Sequence, residues 1–323
     1  MGRLRRYRGF ASEALDRYEL HADHVHLLQH DENVTYRVAA GGQRYLLRIH
    51  RDGRRSPAQI GSELRWLEAL RADAGLTVPE PVEDSAGHLL GEASSEGVGH
   101  RSFVLFRWLP GRFRRTWPAL EPLERAGALL ARLHLHGQTF GRSPDFSRPH
   151  WSLETLCDGD VEGCSWDDID PAYRSVHLEA RARVIEGGRE LAGLASESLI
   201  HGDYHHHNFL FRGSQVGAID FDECGFGDPT YDLATTLLWF RLFGRGTEAR
   251  HYFLRGYTSV RPLPSTFEAG LDLYTVARML YMVLWRAGRP GHPFYDWWMK
   301  TLPRSAARMQ RWLEGRDPFD LGG

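Results

Sequence analysis

Apolar and polar positions change rhythm partway along the chain. Between Asn33 and Ala39 the apolar residues Val34, Tyr36 and Val38 alternate with others, Gly41-Gly42 turns the chain, and Arg44 to His50 returns, which predicts a β-hairpin. Ser56-Pro57-x-Gln59 then opens a helix with Ser as N-cap, Pro in the first position and Gln as half of a capping box; Ile60, Leu64 and Leu67 make its buried stripe and Gly75 ends it. A short helix is expected around Ser12 to Tyr18, and Val78-Pro79-x-Pro81 reads as an extended linker into strands at Gly87 to Leu90 and Arg101 to Trp108.

From Leu123 onward the period is helical. Leu123, Ala126, Leu130 and Leu133 recur at that spacing up to Gly137, the expected C-cap, and Asp170-Pro171 starts a further helix that runs to about Gly187-Gly188. The last third predicts four helices, Leu233 to Phe243, Thr247 to Tyr257, Ser265 to Arg286 with a Ser265/Glu268 capping box, and Pro293 to Leu313. In the third, Leu271, Tyr274, Arg278, Tyr281 and Trp285 form a second face that mixes aromatic bulk with one cation. Packing explains such a stripe better than ligand binding does. A β-rich start followed by a mostly helical remainder implies an α+β chain.

One stretch does not fit a packing role. From Leu199 to Asp232 the chain reads L-I-H-G-D-Y-H-H-H-N-F-L-F-R-G-S-Q-V-G-A-I-D-F-D-E-C-G-F-G-D-P-T-Y-D. Asp203 is followed five positions later by Asn208; Phe209 to Phe211, a turn at Gly213-Ser214 and Val216 to Ile219 form a hairpin that ends on Asp220. Asp203, Asn208 and Asp220 are thus three oxygen donors expected to converge, a set suited to moving phosphate to a hydroxyl: one carboxylate orients the hydroxyl, while the amide and the second carboxylate are hard ligands for Mg2+ on nucleotide phosphates. Asp222 and Asp228 also read as turn acids, and Asp232 either caps a helix or accepts backbone N–H groups from the loop. A zinc site built from His201, His205, His206 and His207 is the rival use of the stretch. No Cys or Glu lies at companion spacing, and Gly202 and Asn208 argue for a loop instead of a helix.

The D-x4-N spacing and the later strand ending in Asp-Phe resemble a protein kinase catalytic loop and its metal-binding Asp. With Gly202 where those kinases carry Arg, the stretch resembles more closely the aminoglycoside phosphotransferase/choline kinase superfamily, and within it the branch holding type II homoserine kinase and the bacterial stress-response Ser/Thr kinase. The resemblance covers roughly residues 30 to 290. It implies a two-lobed protein-kinase-like fold, with a small β-rich nucleotide-binding lobe at 1–109 and a larger, mostly helical catalytic and substrate-binding lobe at 110–323. Nucleotide is then expected between the lobes.

The same resemblance implies roles residue by residue. Asp203 is the catalytic position, with His201 buttressing its loop; Asn208 and Asp220 hold Mg2+. Asn33, with Asp31 and Glu32, belongs to a loop over the nucleotide, although it reads equally as a plain turn. Phe103 to Phe106 followed by Arg107-Trp108-Leu109-Pro110-Gly111 resembles the hinge that binds adenine through backbone, which places Leu105, Arg107 and Leu109 there by position alone. The strand residue that grips the α- and β-phosphates is Arg48, with Glu63 of the next helix as its partner.

Composition sharpens that last point. Of 40 Lys and Arg residues only Lys300 is lysine, so no change of register restores the usual strand lysine. Arg48 keeps the charge but presents a planar fork, which is compatible with a bidentate grip on phosphate. The net charge of -2 leaves no footprint for nucleic acid, and no run approaches the length of a membrane span. Three cysteines without paired spacing fit a reduced, cytoplasmic setting. The expected activity is transfer of the γ-phosphoryl of ATP, with GTP as the alternative donor, to a hydroxyl of a small molecule or of a protein Ser/Thr. A catalytically weak nucleotide-binding scaffold, motivated by the missing lysine, is the other reading. Acidic residues in the last helices, Glu248, Glu268, Asp272 and Asp296, are scattered, which disfavours a polycationic acceptor.

Overall fold

The computed structural model of the chain describes every residue except 1, 31–32, 114–119, 158–162, 243, 245 and 321–323. It forms two compact units: Met1–Phe113 with Phe140–Arg148 and Leu210–Asp222, and Arg114–Thr139 with Pro149–Phe209 and Glu223–Gly323.

The first unit opens with α1 (Gly2–Asp16), followed by β1 (Ala22–His30), β2 (Val34–Ala40), β3 (Gln43–Ile49), α2 (Pro57–Ala72), β4 (Glu80–Val82), β5 (Gly91–Ser95) and β6 (Gly99–Arg107). Among the described residues these strands make a six-stranded antiparallel sheet ordered β1-β2-β3-β6-β4, with β5 also on β6. The hairpin of β2 and β3 closes as its alternation predicts, Val34 opposite Ile49 and Ala40 opposite Gln43. Phe10, Ala11 and Leu15 of α1 pack on Val38, Leu47, Phe103 and Leu105 of the sheet. Each such large side chain contributes about 1.5–3 kcal/mol by leaving water. The helix is longer than the sequence suggests, because Tyr7, Phe10, Ala11, Ala14 and Leu15 supply a buried stripe inside a basic opening. Gly87 to Leu90 is not a strand: Asp84 accepts the backbone N–H groups of Ala86 and His88 in a turn, and pairing begins at Gly91. The capping box of α2 is formed on both sides, between Ser56 and Gln59.

The second unit contains α3 (Pro122–Thr139), β7 (His150–Trp151), α4 (Leu153–Cys157), α5 (Pro171–Leu191) and β8 (Ser198–Ile200). Next come a 3-10 turn at His206–Asn208 and the hairpin of β9 (Phe209–Arg212) and β10 (Gln215–Ala218), which from Leu210 onward belongs to the first unit. The remainder is β11 (Gly225–Gly227), α6 (Pro229–Leu242), α7 (Gly246–Thr258), α8 (Phe267–Ala287), α9 (Tyr295–Met299) and α10 (Leu302–Leu313). β11 runs parallel to β7 and antiparallel to β8. The core gathers Val184 of α5, Tyr231 and Leu238 of α6, Leu280 and Leu284 of α8 and Met309 of α10.

Three expectations are corrected here. Gly137 lies inside α3 and is no cap: a Cβ there would stand 2.1 Å from the Leu199 carbonyl oxygen, so the missing side chain lets the helix lie against β8. The Ser265/Glu268 box is absent. Ser265 donates to the Leu194 carbonyl and the Thr266 hydroxyl to Asp228, so neither caps α8. The final helix breaks at Lys300-Thr301, where Pro303, lacking an N–H, begins a new first turn. Among the described residues no helix is long and apolar enough to cross a membrane.

Candidate active site

The residues singled out above fall into one set in each unit. In the second unit, β8 runs into His201-Gly202-Asp203. Asp232, in the first turn of α6 and fully buried, accepts the N–H of His201 and the N–H of Gly202, one on each carboxylate oxygen, both at 2.8 Å. His134 of α3 approaches the same carboxylate at 3.1 Å and is itself held by the Tyr257 hydroxyl at 2.9 Å. Burial pushes the His134 imidazole down against the pull of Asp232. Asp232 therefore acts on the loop backbone. Gly202 has a φ of +80°, and a Cβ on it would lie 2.2 Å from the Glu223 carbonyl oxygen, which is why glycine stands between His201 and Asp203. His201 is fully buried and its Nδ1 accepts the Asp203 N–H at 3.3 Å.

The Asp203 carboxylate is gripped from two sides. Arg278 of α8 donates from Nη2 to Oδ1 at 2.5 Å, and His205 Nε2 lies 3.3 Å from Oδ2. Burial acts to raise this carboxyl, but His205, Arg278 and His201 together outweigh it and hold it well below the usual carboxylate range. The Asn208 side-chain NH2 donates to the Asp203 carbonyl at 2.8 Å, so its Oδ1 is the atom left to bind something else. β9 begins directly after Asn208.

In the first unit, β10 is followed by Asp220, an exposed residue whose φ of +65° is uncommon outside glycine. Arg48 of β3 donates to Glu63 of α2 at 2.7 Å, with both side chains buried. Burial acts to lower the Arg48 guanidinium, but Glu63, Asp222 and Asp220 outweigh it and raise it above its ordinary value. Asp222, buried, faces His50 at 3.8 Å and Arg54 at 4.0 Å. Burial raises its carboxyl, while Arg48, His50, Arg55 and Arg54 carry it below the usual range. Arg148, from a stretch the sequence leaves without pattern, donates to the carbonyls of Gln59, Phe221 and Asp222, tying α2 to the Asp220-Phe221-Asp222 segment.

The remaining candidates lie along the sheet. Asn33 is nearly buried and its Oδ1 accepts the Arg51 N–H at 3.2 Å; Asp31 and Glu32 lie outside the described residues. The Leu105 N–H is near the Tyr18 hydroxyl at 3.2 Å, and Arg107 reaches Glu80 at 3.0 Å. Leu109 follows the strand, and among the described residues its backbone makes no hydrogen bond. Two residues with a clear place in the geometry carried little signal in the sequence: Arg278 was visible only as the one cation on an aromatic helix face, and Arg148 not at all.

Among the described residues no group of three or more His, Cys, Asp and Glu is placed to hold a metal. Each unit offers a hard oxygen donor of the kind Mg2+ takes together with phosphate oxygens and water: Asn208 Oδ1 in the second, and the exposed Asp220 carboxylate in the first. Asp222 Oδ1 is moreover a buried oxygen without a hydrogen-bond partner.

Comparison with known proteins places the chain among phosphotransferases. The family described as phosphotransferase enzyme family (APH) matches residues 26–268. A probable ketoamine kinase of Vibrio vulnificus is 30% identical over 79% of this chain and 84% of its own. The structure of a microcompartment-associated aminopropanol kinase superposes with a TM-score of 0.81 at 28% identity, covering 95% of this chain and 98% of that one. An amicoumacin kinase solved in complex with AMP-PNP, Ca2+ and Ami shares the fold at a TM-score of 0.76 and 21% identity, covering 91% and 92% of the two chains. The chain belongs to the APH phosphotransferase enzyme family.

Proposed function

We propose that this phosphotransferase moves the γ-phosphoryl of ATP to a hydroxyl of a small molecule. The observation that carries the reading is Asp203: a partly exposed carboxylate, kept ionised and fixed by Arg278 and His205, on a loop whose backbone is pinned by Asp232. The acceptor oxygen forms the new bond to phosphorus as the bond to the β–γ bridging oxygen breaks and ADP leaves. Because the transition state of such transfers is loose, little base strength is needed. A carboxylate held far below its usual range is a weak base, so Asp203 aims the hydroxyl and takes its proton late.

Arg48, kept in place by Glu63, steadies the phosphates; Asn208 and Asp220 are the metal ligands; the backbone of Leu109, with Leu105 and Arg107, is the adenine-binding edge, and Asn33 belongs to the loop over the nucleotide. Bound there, Mg2+ would neutralise charge developing on the phosphates. The setting is a reduced, cytoplasmic one, in keeping with three buried free cysteines.

The acidic residues of the last helices, Glu248, Glu268, Asp272 and Asp296, are scattered along the chain, which disfavours a polycationic acceptor. The relatives described as a probable ketoamine kinase and an aminopropanol kinase support a small amine-bearing hydroxyl compound as the acceptor. The test is transfer from γ-labelled ATP, and from GTP, across amino alcohols, ketoamine sugars, aminoglycosides and a generic protein substrate, with and without Mg2+. A labelled small molecule that disappears with Mg2+ omitted or with Asp220→Ala supports the reading. Nucleotide binding without transfer to any acceptor or to water would favour the scaffold.

A further inference from the structure

Carboxylates that orient a hydroxyl must present one particular oxygen in one direction, and a free aspartate does neither. Its χ2 torsion is broad and its two oxygens exchange by rotation. On the loop after β8 this freedom is removed by a residue 75 positions later. Arg278 Nη2 lies 2.5 Å from Asp203 Oδ1, while Nη1 of the same guanidinium lies 3.0 Å from the hydroxyl oxygen of Tyr231. The guanidinium is planar, so anchoring one nitrogen on Tyr231 fixes the direction from which the other meets the carboxylate.

The anchor is a rigid one. Tyr231 is fully buried in α6, next to Asp232, the residue that holds the His201 and Gly202 backbone. Burial pushes its phenol up to about 12 even against Arg278, so it stays neutral and its oxygen accepts the N–H. Arg278 also lies over the Tyr281 ring at 5.4 Å. One turn of α6 therefore sets both the loop backbone, through Asp232, and the loop carboxylate, through Tyr231 and Arg278.

The other oxygen is held differently. The His207 N–H donates to His205 Nδ1 at 3.2 Å, which leaves His205 Nε2 to face Asp203 Oδ2 at 3.3 Å. A carboxylate oxygen accepts more than one hydrogen bond, so Oδ2 has capacity beyond this longer contact. The side chain of Asp203 keeps 21% of its surface exposed, against 9% for Arg278. The solvent-facing part of the pair is thus the carboxylate.

We infer that Arg278, anchored by Tyr231, is a positioning residue for phosphoryl transfer: it locks the Asp203 carboxylate through Oδ1 and so assigns Oδ2 as the oxygen that receives the acceptor hydroxyl. This rests on the reading of Asp203 given above, and its failure is separable from the failure of that reading. Arg278 touches neither substrate nor phosphate. Its effect is on kcat, not on nucleotide binding, and a free guanidinium ion can replace it.

The experiment measures kcat and nucleotide KM for wild type, Asp203→Asn, Arg278→Ala, Arg278→Lys and Tyr231→Phe, with the labelled acceptor or, failing one, water as the phosphoryl acceptor. Arg278→Ala is expected to lose about 10²-fold in kcat, the scale of a misplaced reacting group, with nucleotide KM unchanged. Guanidinium chloride at non-denaturing concentrations should restore roughly a tenth or more of the wild-type rate, on the same scale. Tyr231→Phe, which keeps the ring, should fall between the two. If Arg278→Ala is unstable, Arg278→Lys and Tyr231→Phe carry the test, both folded by circular dichroism and both reduced in kcat alone. Asp203→Asn dead, with Arg278→Lys and Tyr231→Phe at wild-type kcat, would overturn the inference and leave the reading of Asp203 standing. A folded Arg278→Ala that is slow but gains nothing from guanidinium overturns it too. Undiminished turnover by Asp203→Asn defeats the reading itself.

Discussion

The Arg48–Glu63 and Arg278–Asp203 ion pairs differ in exposure, the first buried on both sides and the second open at its carboxylate. Arg48 and Glu63 are both buried in the first unit, and among the described residues Arg148 is the second cation near Glu63, 3.9 Å from Oε2. Replacing Arg48 by Met would leave a buried carboxylate without its partner, a cost of about 3–5 kcal/mol. Urea unfolding should show that loss, and nucleotide KM should rise at least about tenfold through the missing charged hydrogen bonds. His50, beside them, sets a pH limit. Burial, then Arg48, takes its pKa down to about 3, against a value near 6.5 in the unfolded chain. The unfolded chain therefore binds the proton first as pH falls, so stability present above pH ~6.5 is lost steadily toward pH ~3, by about 2 kcal/mol at pH 5. The urea midpoint should drop between pH 7 and pH 5, and more shallowly in His50→Gln; equal slopes would contradict this. Residues whose partners are near in sequence were legible beforehand. Arg48 and Glu63 are 15 positions apart and joined by an obvious hairpin-to-helix step, whereas Arg278 and Asp203 are 75 apart, and no local pattern links them.

At the scale of elements, the chain announces what is periodic and capped. The hairpin of β2 and β3, the Ser-Pro opening of α2 and the Asp170-Pro171 start of α5 follow from local steric and capping preferences and stand where the sequence puts them. Strands of three residues such as β4 and β11 are too short to show any period. Glycine is ambiguous in the same way: Gly137 looks like a helix end and is instead a point of backbone contact between α3 and β8. Gly137→Ala should cost about 1–3 kcal/mol by overpacking. Because β8 leads straight into His201 to Asp203, it should also lower kcat. Thermal unfolding and steady-state rates measured on the same sample check both. An unchanged Tm would mean that α3 and β8 yield without strain.

At the scale of the whole molecule, each unit collects residues that are far apart along the chain, the first from three segments and the second from three. That interleaving has no signature in composition. It does suggest a division of labour: the first unit holds Arg48, Glu63 and Asp220, and the second holds Asp203, Asn208, His201 and Arg278. Changes to Arg48 should therefore appear in nucleotide KM, and changes to Asp203 or Arg278 in kcat. Nucleotide with Mg2+ at a hundred times its Kd should stabilise the protein by about 2.7 kcal/mol.

The most direct test of the account compares wild type with Asp203→Asn for transfer of labelled γ-phosphoryl, with nucleotide affinity followed by calorimetry on the same preparations. The expected result is a fall in transfer of about 10²–10⁴-fold at unchanged affinity. Transfer at the wild-type rate by Asp203→Asn would contradict the assignment on which the mechanism is built.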